Sequence, residues 1–96
     1  MATIKMITVK QFCTYHQVDP SFIEALHHNG IIELVAEKRT RYIPMNQVSR
    51  LEQAVRMHLD LELNVNGIDT ILHLLNRLQQ KEEELRKLKN RLNFYE

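Results

Sequence analysis

The chain has 96 residues, enough for one domain with a modest core. Its 44% hydrophobic and 26% charged residues mark a folded chain, and with only two glycines and two prolines there is little room for loops. A formal net charge of +1 and a sequence pI of about 7.9 do not announce a nucleic-acid binder, although a local basic patch would suffice for one.

In chain order, Thr8 can cap a first helix, because its hydroxyl can accept an orphan backbone N–H. Val9, Phe12 and Cys13 recur at the helical period, and the helix is expected to end near His16-Gln17. Asp19-Pro20 starts a second helix, with Asp as the cap and Pro where its missing N–H costs nothing. Phe22, Ile23 and Leu26 form its inward stripe, and Asn29-Gly30 ends it through the left-handed freedom of glycine. Only Gln17-Val18-Asp19 separates the two, so together they form a helix-turn-helix. The β-branched run Ile31–Val35 is expected to pair with Arg41-Tyr42-Ile43 across a turn at Glu37–Thr40, making a small β-hairpin wing.

A third helix should begin at Pro44 or Met45, bury Val48, Leu51, Val55 and Leu59, and end around Leu63-Asn64. A fourth should be capped by Asn66. Along it Ile71, Leu78, Leu85 and Leu92 recur every seven residues, while the parallel row runs Ile68, Leu75, Glu82, Lys89. The seam is apolar at first and mixed later, the pattern of a short coil. Glu82–Arg86 and Glu83–Lys87 are i,i+4 pairs in the favourable order, each worth about 0.2–0.5 kcal/mol to an exposed helix. The fold expected is therefore mainly α. A winged helix-turn-helix head spans 1–64, and a long coiled-coil-type helix continuous with it spans 65–96. Its first half should pack on the head and its second half associate with a partner, since Leu85, Leu88, Leu92 and Phe94 are too apolar for full exposure.

Catalysis finds no foothold in these residues. The lone Cys13 falls on the apolar side of the first helix, which suits an inert core thiol, and it excludes an internal disulfide. None of His16, His27, His28, His58 and His73 stand four apart, so no helical metal pair is expected. No glycine-rich phosphate loop is present, and the carboxylates Glu24, Glu52, Asp60, Glu62 and Asp69 read as surface charges or part of a partner interface. We expect no enzyme activity, no cofactor and no metal. With no apolar run of membrane-spanning length and no signal-peptide pattern at the N-terminus, a cytoplasmic location is expected.

The order helix-turn-helix, wing, helix, coil resembles the head of the mercury-resistance-regulator (MerR) family. The matching residues are Val18-Asp19-Pro20, Gly30-Ile31-Ile32, Arg41-Tyr42-Ile43 and Val48-Ser49-Arg50-Leu51. A closer resemblance is to a smaller relative, the chaperone modulator CbpM family. It is carried by Phe12-Cys13, by Gln53-Ala54-Val55-Arg56 and by the stretch from Leu61 to Ile68, and it covers nearly the whole chain. That resemblance implies binding to the J-domain of a DnaJ-like, curved-DNA-binding co-chaperone, with inhibition of both its co-chaperone action and its DNA binding.

The second helix separates these two expectations. A DNA reader would lay it in the major groove and use cations on phosphates and base edges. MerR-type regulators resemble one another in placing arginines and tyrosines there. In this chain Ser21 and Glu24 stand at the arginine positions, and Ala25 and Leu26 at the tyrosine positions. A glutamate in place of a phosphate-contacting cation turns attraction into repulsion. Ser21, Glu24, His28, Glu52 and Glu62 are therefore the candidate partner-binding residues, suited to a basic protein surface. The alternative, a MerR-type DNA-binding transcriptional regulator, rests on Lys38, Arg39 and Arg41 in the wing as phosphate contacts. Leu78, Leu85 and Leu92 are the candidates for coil association, with a homodimer as one outcome.

Overall fold

The computed structural model describes residues 5–95. The elements run β1 (Met6–Thr8), α1 (Val9–His16), α2 (Pro20–His28), β2 (Val35–Glu37), β3 (Thr40–Pro44), α3 (Met45–Leu61) and α4 (Val65–Tyr95). The protein is mainly helical, with one small antiparallel sheet in the order β1-β3-β2.

The helix-turn-helix is built by its caps. Thr8 Oγ1 accepts from the N–H of Gln11 at 3.0 Å, and Gln11 Oε1 accepts in return from the N–H of Thr8 at 3.2 Å, a reciprocal capping box. Gln17 takes the left-handed conformation, φ 56°, and turns the chain off α1. Two residues later Asp19 Oδ1 accepts from the N–H of Ser21 at 2.8 Å and opens α2, with Pro20 at its first position. Those hydrogen bonds, the backbone one first, hold the Asp19 carboxyl below the usual carboxylate range. Gly30, φ 75°, closes α2 as expected.

The wing departs from the expected hairpin in two ways. Ile31 and Ile32 are not strand residues. Both are buried, and their carbonyls meet helix side chains instead of a ladder, while the N–H of Ile31 donates to the carbonyl of Leu26 at 3.0 Å. Arg50 Nη1 donates to the carbonyl of Ile31 at 3.2 Å, His27 Nδ1 lies 3.3 Å from that of Ile32, and the N–H of Glu33 donates to Gln47 Oε1 at 3.1 Å. Strand β2 consequently starts only at Val35. The second departure is β1, which adds a third strand on the other side of β3 through Ile7 opposite Ile43 and Thr8 opposite Tyr42.

The hairpin β2–β3 closes through Lys38 and Arg39, both with positive φ, 49° and 66°. A two-residue turn of this kind favours Asn-Gly, because side chains with a Cβ adopt two successive left-handed positions at a cost. Replacing Lys38-Arg39 with Asn-Gly is expected to stabilise the head by about 1–2 kcal/mol. A thermal melt with an unchanged or lower midpoint would count against strain at this turn.

The core lies where α1, α2, the sheet, α3 and the first turns of α4 meet. Ile23, Leu26, Ile43, Leu51, Ala54 and Ile68 are wholly buried, and Phe12 almost so. Cys13 is buried with them, and burial, helped by the charge of Asp19, pushes its thiol pKa up. Helix α3 buries Leu51, Ala54, Val55 and Met57, while Leu59 is 52% exposed and is not a core residue. Its inward side is completed by His58, which stacks on Phe22 of α2 with ring centroids 4.2 Å apart.

The corner into α4 also differs from expectation. Helix α3 ends at Leu61, and Glu62 turns the chain with a left-handed φ of 56°. His58 Nδ1 lies 2.9 Å from the carbonyl oxygen of Leu63. Asn64, not Asn66, caps α4, since its Oδ1 accepts from the N–H of Gly67 at 2.8 Å. Ile68 enters the core, and Ile71 and Leu72 pack partly against it. From His73 onward the side chains of α4 are exposed as far as they are described.

Candidate functional site

The solvent face of α2 follows from its core face. At about 100° per residue, Phe22, Ile23 and Leu26 fill one side. Ser21, Glu24 and His28 then fall within an arc of about 60° on the opposite side, flanked by Ala25. Ser21 and His28 are exposed and Glu24 is half-buried. The structure thus brings three of the five expected partner-binding residues onto one face. Glu52 is half-buried on α3, and Glu62 is exposed at the left-handed residue that ends α3. Among the described residues no hydrogen bond or ion pair ties either of them to the α2 face.

This face carries no lysine or arginine, and the nearest guanidinium is already engaged. Arg41 Nε lies 3.3 Å from Glu24 Oε1, with the two side chains 43% and 40% exposed. The contact joins a residue expected to meet a protein with one expected to meet phosphate. Strand alternation accounts for it. Arg41 points to the same side of β3 as the buried Ile43, toward the helices, and reaches α2 at the margin of the sheet. A pair this exposed contributes under about 1 kcal/mol to stability. Its effect is on the surface: one of three wing cations faces a carboxylate instead of solvent.

Lys38 and Arg39 occupy the wing tip and are exposed. Arg39 and Arg41 also border an open cleft of about 570 Å³ between α1, α2 and the wing, together with Lys10, Glu24 and Thr40. Lys10 was not singled out by the sequence, where its only mark is a place on the outer side of α1. A second, smaller cleft of about 130 Å³ lies where the end of α2 meets α3 and α4, bordered by Arg50, Asp69 and His73. There His73 Nδ1 stands 3.2 Å from Asp69 Oδ1.

The coil residues stand apart from this head. Leu78, Leu85 and Leu92 are all more than half exposed, as are Leu74 and Leu88. They follow the stripe past the point where α4 leaves the core.

The arrangement of head, wing and long helix is matched along almost its full length by one protein family. Residues 7–90 fit the profile of the MerR HTH family of regulatory proteins. The chain belongs to that family. The match takes in the helix-turn-helix, the wing, α3 and most of α4, and it places the chain among regulatory proteins, a non-enzymatic family. No curated protein matches the chain. Among the described residues, no helix is long and apolar enough to cross a membrane.

Proposed function

We propose that this MerR-family chain is a chaperone-modulator adaptor. In this reading it binds the J-domain of a DnaJ-like co-chaperone in the cytoplasm and inhibits its co-chaperone and DNA-binding activities. The observation that supports it best is the solvent face of α2. The element that would read DNA presents Ser21, Glu24 and His28, and its carboxylate also faces Arg41 of the wing. A groove of phosphates would meet repulsion there, whereas a basic protein surface would meet a complementary charge. The CbpM-like residues Phe12-Cys13, Gln53–Arg56 and Leu61–Ile68 point the same way.

Calorimetric titration of the chain with the J-domain of its host's DnaJ-like protein tests the proposal. Binding is expected, and Glu24→Arg is expected to weaken it by at least about tenfold, equivalent to about 1.4 kcal/mol. No heat of binding at tens of micromolar would remove the adaptor reading. The alternative, a DNA-binding transcriptional regulator, draws on the exposed Lys38 and Arg39. It requires operator binding that is sequence-specific and falls steeply with salt.

A second copy of the chain is the partner we assign to the distal part of α4. Its exposed leucines supply the apolar seam. Glu82, Glu83 and Glu84 form an acidic band, followed by a basic band of Arg86, Lys87, Lys89 and Arg91. An antiparallel pair centred near Leu85 sets each band against its opposite, while a parallel pair in register sets like against like.

A further inference from the structure

The small cleft where the end of α2 meets α3 and α4 has charges of both signs that do not meet each other. Arg50 borders it from α3 and Asp69 from α4, yet among the described residues no ion pair links them. Arg50 Nη1 donates to the carbonyl of Ile31, which fixes the guanidinium at the cleft and leaves the rest of its fork without a protein acceptor among the described residues. The Asp69 carboxylate meets only His73, whose Nδ1 lies 3.2 Å from Oδ1 and 2.8 Å from the backbone oxygen of Asp69. A proton on Nδ1 serves both oxygens and leaves Oδ2 without a donor. Ile31 and Leu72 give the cleft an apolar side, and Asn76 adds an amide. We infer that this cleft binds a free α-amino acid with a small side chain. The ligand's carboxylate takes the open fork of Arg50, its ammonium takes Asp69, and its side chain lies against Ile31 and Leu72.

The physical case has three parts. The first is size. A cavity of about 150 Å³ holds benzene, about six heavy atoms, so a cleft of about 130 Å³ suits a ligand of the size of alanine and is too small for an aromatic amino acid. The second is charge. A plain anion would be attracted by Arg50 and repelled by Asp69, and a plain cation the reverse. A zwitterion satisfies both at once, and the amide of Asn76 can donate to its carboxylate or accept from its ammonium. The third is position. The ligand would touch the end of α2, α3 and α4 together, so its binding adds to the stability of the joint between head and long helix. The inference uses neither the outer face of α2 nor the leucine stripe, and it stands without the adaptor reading.

The test titrates the full, isotope-labelled chain with L-alanine at low salt and follows the backbone amide signals by nuclear magnetic resonance. Those of Ile31, Asp69 and His73 are expected to shift together and to saturate with a dissociation constant below about 20 mM. L-lactate has a hydroxyl in place of the ammonium, and L-alaninamide lacks the carboxylate. Each should bind at least about tenfold more weakly, the scale of one lost hydrogen bond to a charged group. Asp69→Asn should weaken alanine binding by a similar factor. Asp60→Asn, the same charge change at an exposed position of α3, should leave it within about twofold. Shifts still linear at about 20 mM would overturn the site. An equal response to lactate or to alaninamide would overturn recognition by two charges, and equal binding of L-tryptophan would overturn the assigned size. The analogues are read on the unmodified chain, so the outcome does not depend on how well Asp69→Asn folds. No arm of the test involves the J-domain, so failure of that binding leaves this result standing.

Discussion

Replacing Ile68 with alanine is expected to lower the stability of the chain by about 2–5 kcal/mol. Ile68 is wholly buried, one turn into α4, at the point where that helix meets the head. The substitution removes three carbons from a packed core, and the neighbours that surround Ile68 come from elements that cannot collapse together without moving α4. A domain of this size has about 5–15 kcal/mol to lose, so the change is a large fraction of the whole. Chemical denaturation followed by circular dichroism measures it. Ile71→Ala, half-buried on the same helix, provides the comparison and should cost less. If Ile68→Ala costs under about 1 kcal/mol, the start of α4 is not part of the cooperative core.

The second large effect is on association. Leu78→Ser, Leu85→Ser and Leu92→Ser together should leave the chain monomeric at concentrations where the unmodified chain pairs. Each leucine forfeits about 1.5–3 kcal/mol on burial, and both copies lose three, so the dissociation constant should rise by at least about a thousandfold. All three side chains lie beyond the last residues that α4 packs on the core, so thermal unfolding of the head should change little. Sedimentation equilibrium reads the mass directly. An unmodified chain that stays monomeric at tens of micromolar would remove the second copy as the occupant of this stripe.

The helices were legible because their start and stop signals are local. Thr8, Asp19-Pro20 and Asn29-Gly30 each act within one turn of chain, and α1 and α2 begin and end where those residues place them. The sheet was less legible because its causes are not local. Met6–Thr8 is too short to show alternation and becomes a strand only by pairing with β3. Ile31 and Ile32 have the composition of a strand, but Arg50, nineteen residues on, and His27 take their carbonyls. Leu59 looked like a core position because a stripe continued at four-residue steps drifts around the helix. His58, whose ring stacks on Phe22, fills the inward place instead.

The candidate site divides in the same way. Ser21, Glu24 and His28 share a face by helical period alone, so that grouping could be read directly. The pairing of Glu24 with Arg41 could not, because it depends on how far the sheet margin reaches over α2. Strand parity gave a partial signal, since Arg41 lies two residues from the buried Ile43. Lys10 joins the cleft only through the packing of α1 beside the wing, for which the sequence carries no local mark.

Helix α4 is 31 residues long, yet only its first two turns reach the core. Among the described residues the expected pairs Glu82–Arg86 and Glu83–Lys87 do not close, and the remaining length is held by its own backbone and by the ion pair of Lys81 with Glu84 at 3.4 Å, a contact of about 0.2–0.5 kcal/mol that leaves an isolated helix marginal in water. Its helix content is therefore coupled to whatever covers the leucine stripe, and by mass action to how much of that partner is present. Diluting the protein should unwind the tail while the head stays folded, so the tail registers the local abundance of its own partner.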